Sequence, residues 1–218
     1  MTQLREYRRL SGVPARLRGR LVDLSLLAIV ATLPILPAGC DAGVPVPPGM
    51  LPFNFGVVAE GQVYRAAQPT PEGLEAAICQ LGLKTVVNLR GENPGKDWWD
   101  HERDVCQSQG VAMVNIRMSA RALPSRETLL LLYDTFQAAE YPILIHCEGG
   151  ADRTGAAAAI WRMMQGESRE AAARELSPAH FHFVPFAPEM DLLVSIFDPD
   201  RDWILNEYDA GARPSNDD

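Results

Sequence analysis

Residues 141 to 165 constrain the fold of this 218-residue chain more than any other stretch, because three kinds of segment follow one another without a gap. Tyr141-Pro142-Ile143-Leu144-Ile145 is short, apolar and β-branched, which predicts a buried strand. Thr154 to Gln165 is rich in alanine, which predicts a helix. Between them lies His146-Cys147-Glu148-Gly149-Gly150-Ala151-Asp152-Arg153-Thr154-Gly155. A strand-to-helix turn of this kind can aim successive backbone N–H groups at one point, with the positive end of the helix dipole behind them. Gly149 and Gly150 allow the backbone dihedrals that such a nest needs.

The residue types in this turn suit the attack of sulfur on phosphorus. A free thiol is a weak nucleophile at neutral pH, and a helix N-terminus with a cation beside it favours the thiolate; Cys147 stands in such a place. Arg153 offers a planar fork of donors for two phosphate oxygens, and the Thr154 hydroxyl can donate to the sulfur. His146 is read as orienting the backbone at Cys147, since a thiolate already formed needs no base. Glu148, Gly149, Gly150 and Ala151 form the rest of the phosphate-holding loop. No Gly-Lys-Ser/Thr follows the glycines, which excludes a nucleotide-binding P-loop.

Cys-x5-Arg-Thr with His in front resembles the signature loop of the cysteine-dependent protein tyrosine and dual-specificity phosphatase superfamily. Asn54-Phe55-Gly56-Val57-Val58, Gly61-Gln62-Val63-Tyr64-Arg65-Ala66-Ala67-Gln68-Pro69 and Val86-Val87-Asn88-Leu89-Arg90 are similar to the opening of atypical dual-specificity phosphatases. The resemblance runs over roughly residues 53 to 180 and implies hydrolysis through a phosphocysteine on Cys147, without metal or cofactor. Many relatives supply a general acid from a loop about thirty residues before the cysteine. Here that loop, Arg117-Met118-Ser119-Ala120-Arg121-Ala122-Leu123-Pro124, has no carboxylate. The Asp-Arg-Thr-Gly ending resembles phosphatases in which the aspartate of the loop itself is the acid, which implies that role for Asp152. The alternative for Asp152 is a structural carboxylate bonded to backbone amides or to Arg153. Asp97 and Asp100, beside Trp98-Trp99, are the other acids in view, and a solvated helix start explains them as well. Arg90 ends a predicted strand on the ligand side and is read as assisting phosphate or loop positioning. Arg117 and Arg121 are either substrate-reading cations or ordinary surface arginines.

Charge narrows the substrate. From residue 51 onward, 25 acidic against 14 basic side chains leave the chain 11 negative, which repels polyanions. Phosphoinositide phosphatases often carry lysines in the signature loop, where this chain has Glu148 and Ala151. A phosphorylated protein, phosphotyrosine above all, or a small phosphomonoester fits better than an inositol phosphate or phosphoinositide, which is the alternative substrate class. Nucleic acid is excluded, because no basic patch exists beyond the N-terminus. A second alternative is a pseudophosphatase that binds phosphate without turnover; the missing acid on the usual loop favours it, and the intact Cys147 and Arg153 oppose it.

The first twenty residues carry six arginines and one acid, and Leu24 to Cys40 is uncharged. That pattern predicts a signal or membrane-anchor segment over 1–40, with the catalytic domain outside the cytoplasm. Seventeen residues are short for a span of about 20, and Pro37-Ala38-Gly39-Cys40 resembles a lipoprotein cleavage site with Cys40 lipidated. Arginine supplies 18 of the 20 basic residues, as in proteins from GC-rich bacterial genomes. Residues 41–52 hold four prolines and two glycines and predict an extended tether; 53–210 is the expected phosphatase domain and 211–218 a polar tail. Cys40, Cys79, Cys106 and Cys147 show no paired spacing, so no disulfide framework is expected, and Cys79 and Cys106 are read as core residues of helices.

Strands are predicted in a hairpin over 57–64 and at 84–89, 111–116 and 141–145. Helices are predicted at 71–81, 97–109, 124–139, 154–165, 168–176 and 189–208. Their alternation predicts an α/β fold, a mostly parallel central sheet flanked by helices, with the loop at the carboxyl end of a central strand.

Overall fold

The structure is a computed structural model that describes residues 51–211. The predicted signal or anchor segment, the Cys40 lipidation site, nearly all of the tether and the polar tail lie outside these residues.

Five strands form one sheet in the order β1-β2-β5-β3-β4. Strands β1 (Gly56–Ala59) and β2 (Val63–Ala66) make an antiparallel hairpin. Strands β3 (Thr85–Asn88), β4 (Ala112–Asn115) and β5 (Ile143–His146) run parallel to β2, which makes three of the four pairings parallel. The expected mostly parallel α/β sheet is therefore present. Because β5 lies between β2 and β3, its polypeptide is buried on both edges and both faces, and Ile143, Leu144 and Ile145 are wholly inaccessible. Burying each such side chain contributes about 1.5–3 kcal/mol.

Side chains alternate across the sheet with period two. Leu144, Tyr64, Ala66 and Val86 face one core with Leu74, Ala77 and Ile78 of α1 (Pro71–Leu81) and Val105 and Cys106 of α2 (Asp97–Gln109). Ile143, Ile145, Val63 and Val87 face a larger core with α3 (Arg126–Ala138), α4 (Asp152–Met164) and α6 (Pro188–Ile196). Local chemistry sets the helix ends: Thr70 and Ser125 cap α1 and α3 through their hydroxyls, and Gly82 and Gly110 end α1 and α2 in the left-handed region.

The C-terminal third departs from expectation. The helix predicted over 168–176 shortens to α5 (Arg169–Ala172) followed by a 3-10 turn, Ala173–Glu175. The helix predicted over 189–208 divides into α6 and α7 (Arg201–Asn206), because Pro199 interrupts it and Asp200 caps a new start with its carboxylate. Between α5 and α6 the chain makes two more 3-10 turns, Pro178–His180 and Val184–Phe186.

The reading of the cysteines needs one correction. Cys106 is a buried free thiol, pushed up to about 12 by burial and so inert at neutral pH. Cys79 is disulfide-bonded instead, on the half-buried flank of α1 beside its core stripe. No helix among the described residues is long and apolar enough to cross a membrane.

Candidate active site

Cys147 leaves the carboxyl end of β5 and is 2% exposed, with a free thiol. The peptide then turns through Glu148 to Ala151 and enters α4 at Asp152. Carbonyl contacts decide which way its amides face. The carbonyl of Glu148 accepts from the Gln68 N–H at 3.1 Å and that of Gly149 from Asn54 Nδ2 at 3.0 Å. The Gly150 carbonyl accepts from Arg65 Nη2 at 2.7 Å. In a trans peptide the next N–H points opposite to the carbonyl, so the amides of Gly149, Gly150 and Ala151 turn away from these outer partners. Among the described residues, none of those three amides donates a hydrogen bond.

Two further donors in the loop are buried without partners: Arg153 Nε and Thr154 Oγ1. Arg153 Nη1 lies 3.4 Å from the carbonyls of Leu89 and Met118, contacts too long to hold it strongly. Inward amides, a guanidinium with an unused edge and a thiol thus share one turn. A tetrahedral oxyanion satisfies such a donor set.

The two glycines differ. Gly150 has φ +68, and a Cβ there would lie 2.5 Å from the backbone of Ala66 and Ala67. Gly149 has no positive φ, and a Cβ there meets nothing within 4 Å. The expectation that both supply unusual dihedrals holds for Gly150 alone, because only that residue turns under the end of β2.

His146 is fully buried, with Nε2 2.7 Å from Glu102 Oε1 on α2. Glu102 Oε2 accepts from Gln68 Nε2 at 2.6 Å, and Gln68 Oε1 accepts from Arg90 Nη1 at 2.9 Å. Arg90 stacks on the Trp98 ring at 3.6 Å and stands 4.0 Å from Glu148 Oε1. Burial pulls the Arg90 guanidinium below its ordinary value; the Glu148 charge opposes this and Arg153 adds to it, which puts both arginines in one field. Arg65 is wholly buried, its Nη1 bonded to Glu175 Oε2 at 2.7 Å, and burial lowers it despite that carboxylate.

Asp152 takes a partner that the sequence reading did not foresee. Its Oδ1 is 2.7 Å from His182 Nδ1, rather than bonded to Arg153 or to backbone amides. Asp100 is committed to the Gly95 amide at 2.9 Å and to Arg103 at 2.8 Å, as a solvated helix start requires, and Asp97 is exposed. Arg117, exposed, donates to the Glu92 carbonyl, and Arg121 is an exposed surface residue.

Glu102 was legible in principle, as the one acid on the stripe Trp99, Glu102, Val105, Cys106 of α2. Arg65, His182 and Asn54 carry no such signal, because each meets the loop from 30 or more residues away, and Glu175 is tied to it through Arg65.

Residues 55–188 match the family described as "DSP-PTPase phosphatase fused to NAD+ Kinase". OCA1 of Mycosarcoma maydis, a candidate tyrosine-protein phosphatase, is 32% identical over 119 residues, 52% of this chain and 72% of that protein. The dual specificity protein phosphatase TpbA of Pseudomonas aeruginosa is 32% identical over 122 residues, 55% of this chain and 51% of TpbA, about half its length. The TpbA crystal structure has a TM-score of 0.57 at 26% identity, covering 71% of this chain and 92% of that one. A TpbA variant in complex with phosphotyrosine has a TM-score of 0.54 at 25% identity, covering 67% and 87%.

Proposed function

The chain belongs to the DSP-PTPase phosphatase family that its residues 55–188 match, and from that premise we propose that it hydrolyses phosphotyrosine and similar monoesters through a phosphocysteine on Cys147. One observation carries this reading: outer partners pin the loop carbonyls, so that the unpaired amides of Gly149 to Ala151 and the unpaired Arg153 Nε are left to a phosphate beside Cys147. In the first step the Cys147 thiolate attacks phosphorus and the P–O bond to the leaving group breaks. Asp152 gives that oxygen a proton. In the second step water attacks phosphorus, the P–S bond breaks, Asp152 takes a proton from the water, and inorganic phosphate leaves. Arg153 and the amides carry the charge on the equatorial oxygens throughout. His146, braced by Glu102, orients the loop at its start, and Arg90 supports it from the side.

An aromatic monoester is favoured by charge. A domain with excess negative charge suits the singly phosphorylated ring of phosphotyrosine, the ligand in the TpbA complex, better than an inositol polyphosphate. The disulfide at Cys79 and the arginine-led apolar segment before Cys40 support an oxidising, extracytoplasmic location. Fractionation of cells carrying the full chain tests that location.

The test of activity is phosphate release from para-nitrophenyl phosphate. Wild type turns over, and Cys147→Ser loses all measurable turnover while retaining its melting temperature. Full activity in Cys147→Ser defeats the mechanism. Faster turnover of inositol phosphates than of phosphotyrosine peptides shifts the substrate to the alternative class.

A further inference from the structure

His182 lies between two carboxylates. Its Nδ1 is 2.7 Å from Asp152 Oδ1, its Nε2 is 2.9 Å from Asp191 Oδ2, and it is 2% exposed. The three residues come from different elements: Asp152 from the first turn of α4, Asp191 from the first turn of α6, and His182 from the segment between two 3-10 turns. The backbone at His182 is anchored by its N–H, which donates to the Ser177 carbonyl at 3.1 Å.

Each carboxylate stands in the first turn of a helix. A general acid must hold a proton when the leaving group departs, and a buried imidazole bonded to both carboxylates can supply one. With both ring nitrogens protonated it donates to both aspartates. When the Nδ1 proton moves to Asp152, the ring becomes neutral and still donates Nε2–H to Asp191.

Building on the general-acid reading of Asp152, we propose that His182 and Asp191 form a proton relay that loads it. As the P–O bond breaks, Asp152 passes a proton to the leaving oxygen and the His182 Nδ1 proton replaces it. As water attacks the phosphocysteine, its proton returns through Asp152 to His182, and the P–S bond breaks to regenerate the thiolate. No proton is gained or lost over the cycle. Asp191 remains ionised and holds the imidazole in the orientation and tautomer that present Nδ1 to Asp152, as a carboxylate behind a catalytic histidine does. His182 and Asp191 are positioning residues that act through Asp152.

The experiment compares kcat/KM on phenyl phosphate, a poor leaving group, with that on para-nitrophenyl phosphate, a good one, for Asp152→Asn, His182→Gln, Asp191→Asn and the double variant Asp152→Asn/His182→Gln. Asp152→Asn is expected to lose about 10²–10⁴-fold on phenyl phosphate and far less on the nitrophenyl ester. His182→Gln is expected to lose about 10²-fold and Asp191→Asn about 10-fold on phenyl phosphate with the same leaving-group bias, and the double variant to be no slower than Asp152→Asn alone. Asp191 is partly exposed and its change to Asn nearly isosteric, so this variant reports even where His182→Gln fails to fold.

Equal slowing of both esters by His182→Gln and Asp191→Asn, with the bias intact in Asp152→Asn, overturns the relay and leaves the acid standing. Absence of bias in Asp152→Asn overturns the acid assignment and the relay with it.

Discussion

The proposed phosphate loop, 146–155, and the segment that follows α5, 175–191, are opposites in how they are built. The loop is a strand-to-helix turn whose candidate site groups are neighbours in sequence and whose support comes from outside. The later segment has little regular structure, with short 3-10 turns and several exposed aromatic residues, yet it contributes Glu175, His182 and Asp191 to the loop's surroundings. The contrast teaches that a compact turn holds its shape through distant polar groups. Arg65 makes the link, since one guanidinium grips the Gly150 carbonyl with Nη2 and both the backbone and the carboxylate of Glu175 with Nη1.

The sharpest way to break the contrast is inside the loop. Gly150→Ala places a Cβ at 2.5 Å from the backbone of β2's end and at φ +68, so the loop must shift. A displacement approaching 1 Å costs about 10²-fold in kcat/KM. Retention of wild-type kinetics in Gly150→Ala contradicts the close approach.

Severing the link between the two regions comes next. Arg65→Met leaves the Gly150 carbonyl and one face of Glu175 without their donor, while Arg162 still holds Glu175 Oε1 at 2.7 Å. Removing one partner of a buried pair costs about 3–5 kcal/mol, and urea unfolding should show a loss of that size with activity reduced as well. A loss below ~1 kcal/mol means that Arg65 does not join the regions energetically.

Gly149→Ala has the smallest expected effect. Its Cβ meets nothing within 4 Å, so stability should change by less than ~0.5 kcal/mol and kcat/KM hardly at all. If Gly149→Ala proves as damaging as Gly150→Ala, the distinction between the two glycines is lost.

Much of the fold was legible because its signals are local. The apolar run before the loop, the alanine-rich run after it and the alternating strand and helix patterns each act within one or two turns of chain, and the corresponding elements lie within a few residues of expectation. The helix predicted over 189–208 failed at Pro199, where a breaker outweighs the apolar periodicity around it. Cys79 was misread for another reason, since the partner of a disulfide is set by spatial neighbourhood and spacing along the chain does not reveal it.

The loop was legible as chemistry for the same local reason: Cys147, Asp152 and Arg153 lie within seven residues, and the covalent chain itself keeps them together. What surrounds them was decided only by the tertiary fold. Glu102 reaches His146 across 44 residues, Arg65 reaches Gly150 across 85, and His182 reaches Asp152 across 30. Such pairs arise because a buried polar group must find a partner wherever packing brings one, and no periodicity in the sequence encodes which distant residue that is. Sequence thus determined which candidate groups share one turn. The folded structure decided which way the loop's amides face and which side chain stands behind Asp152.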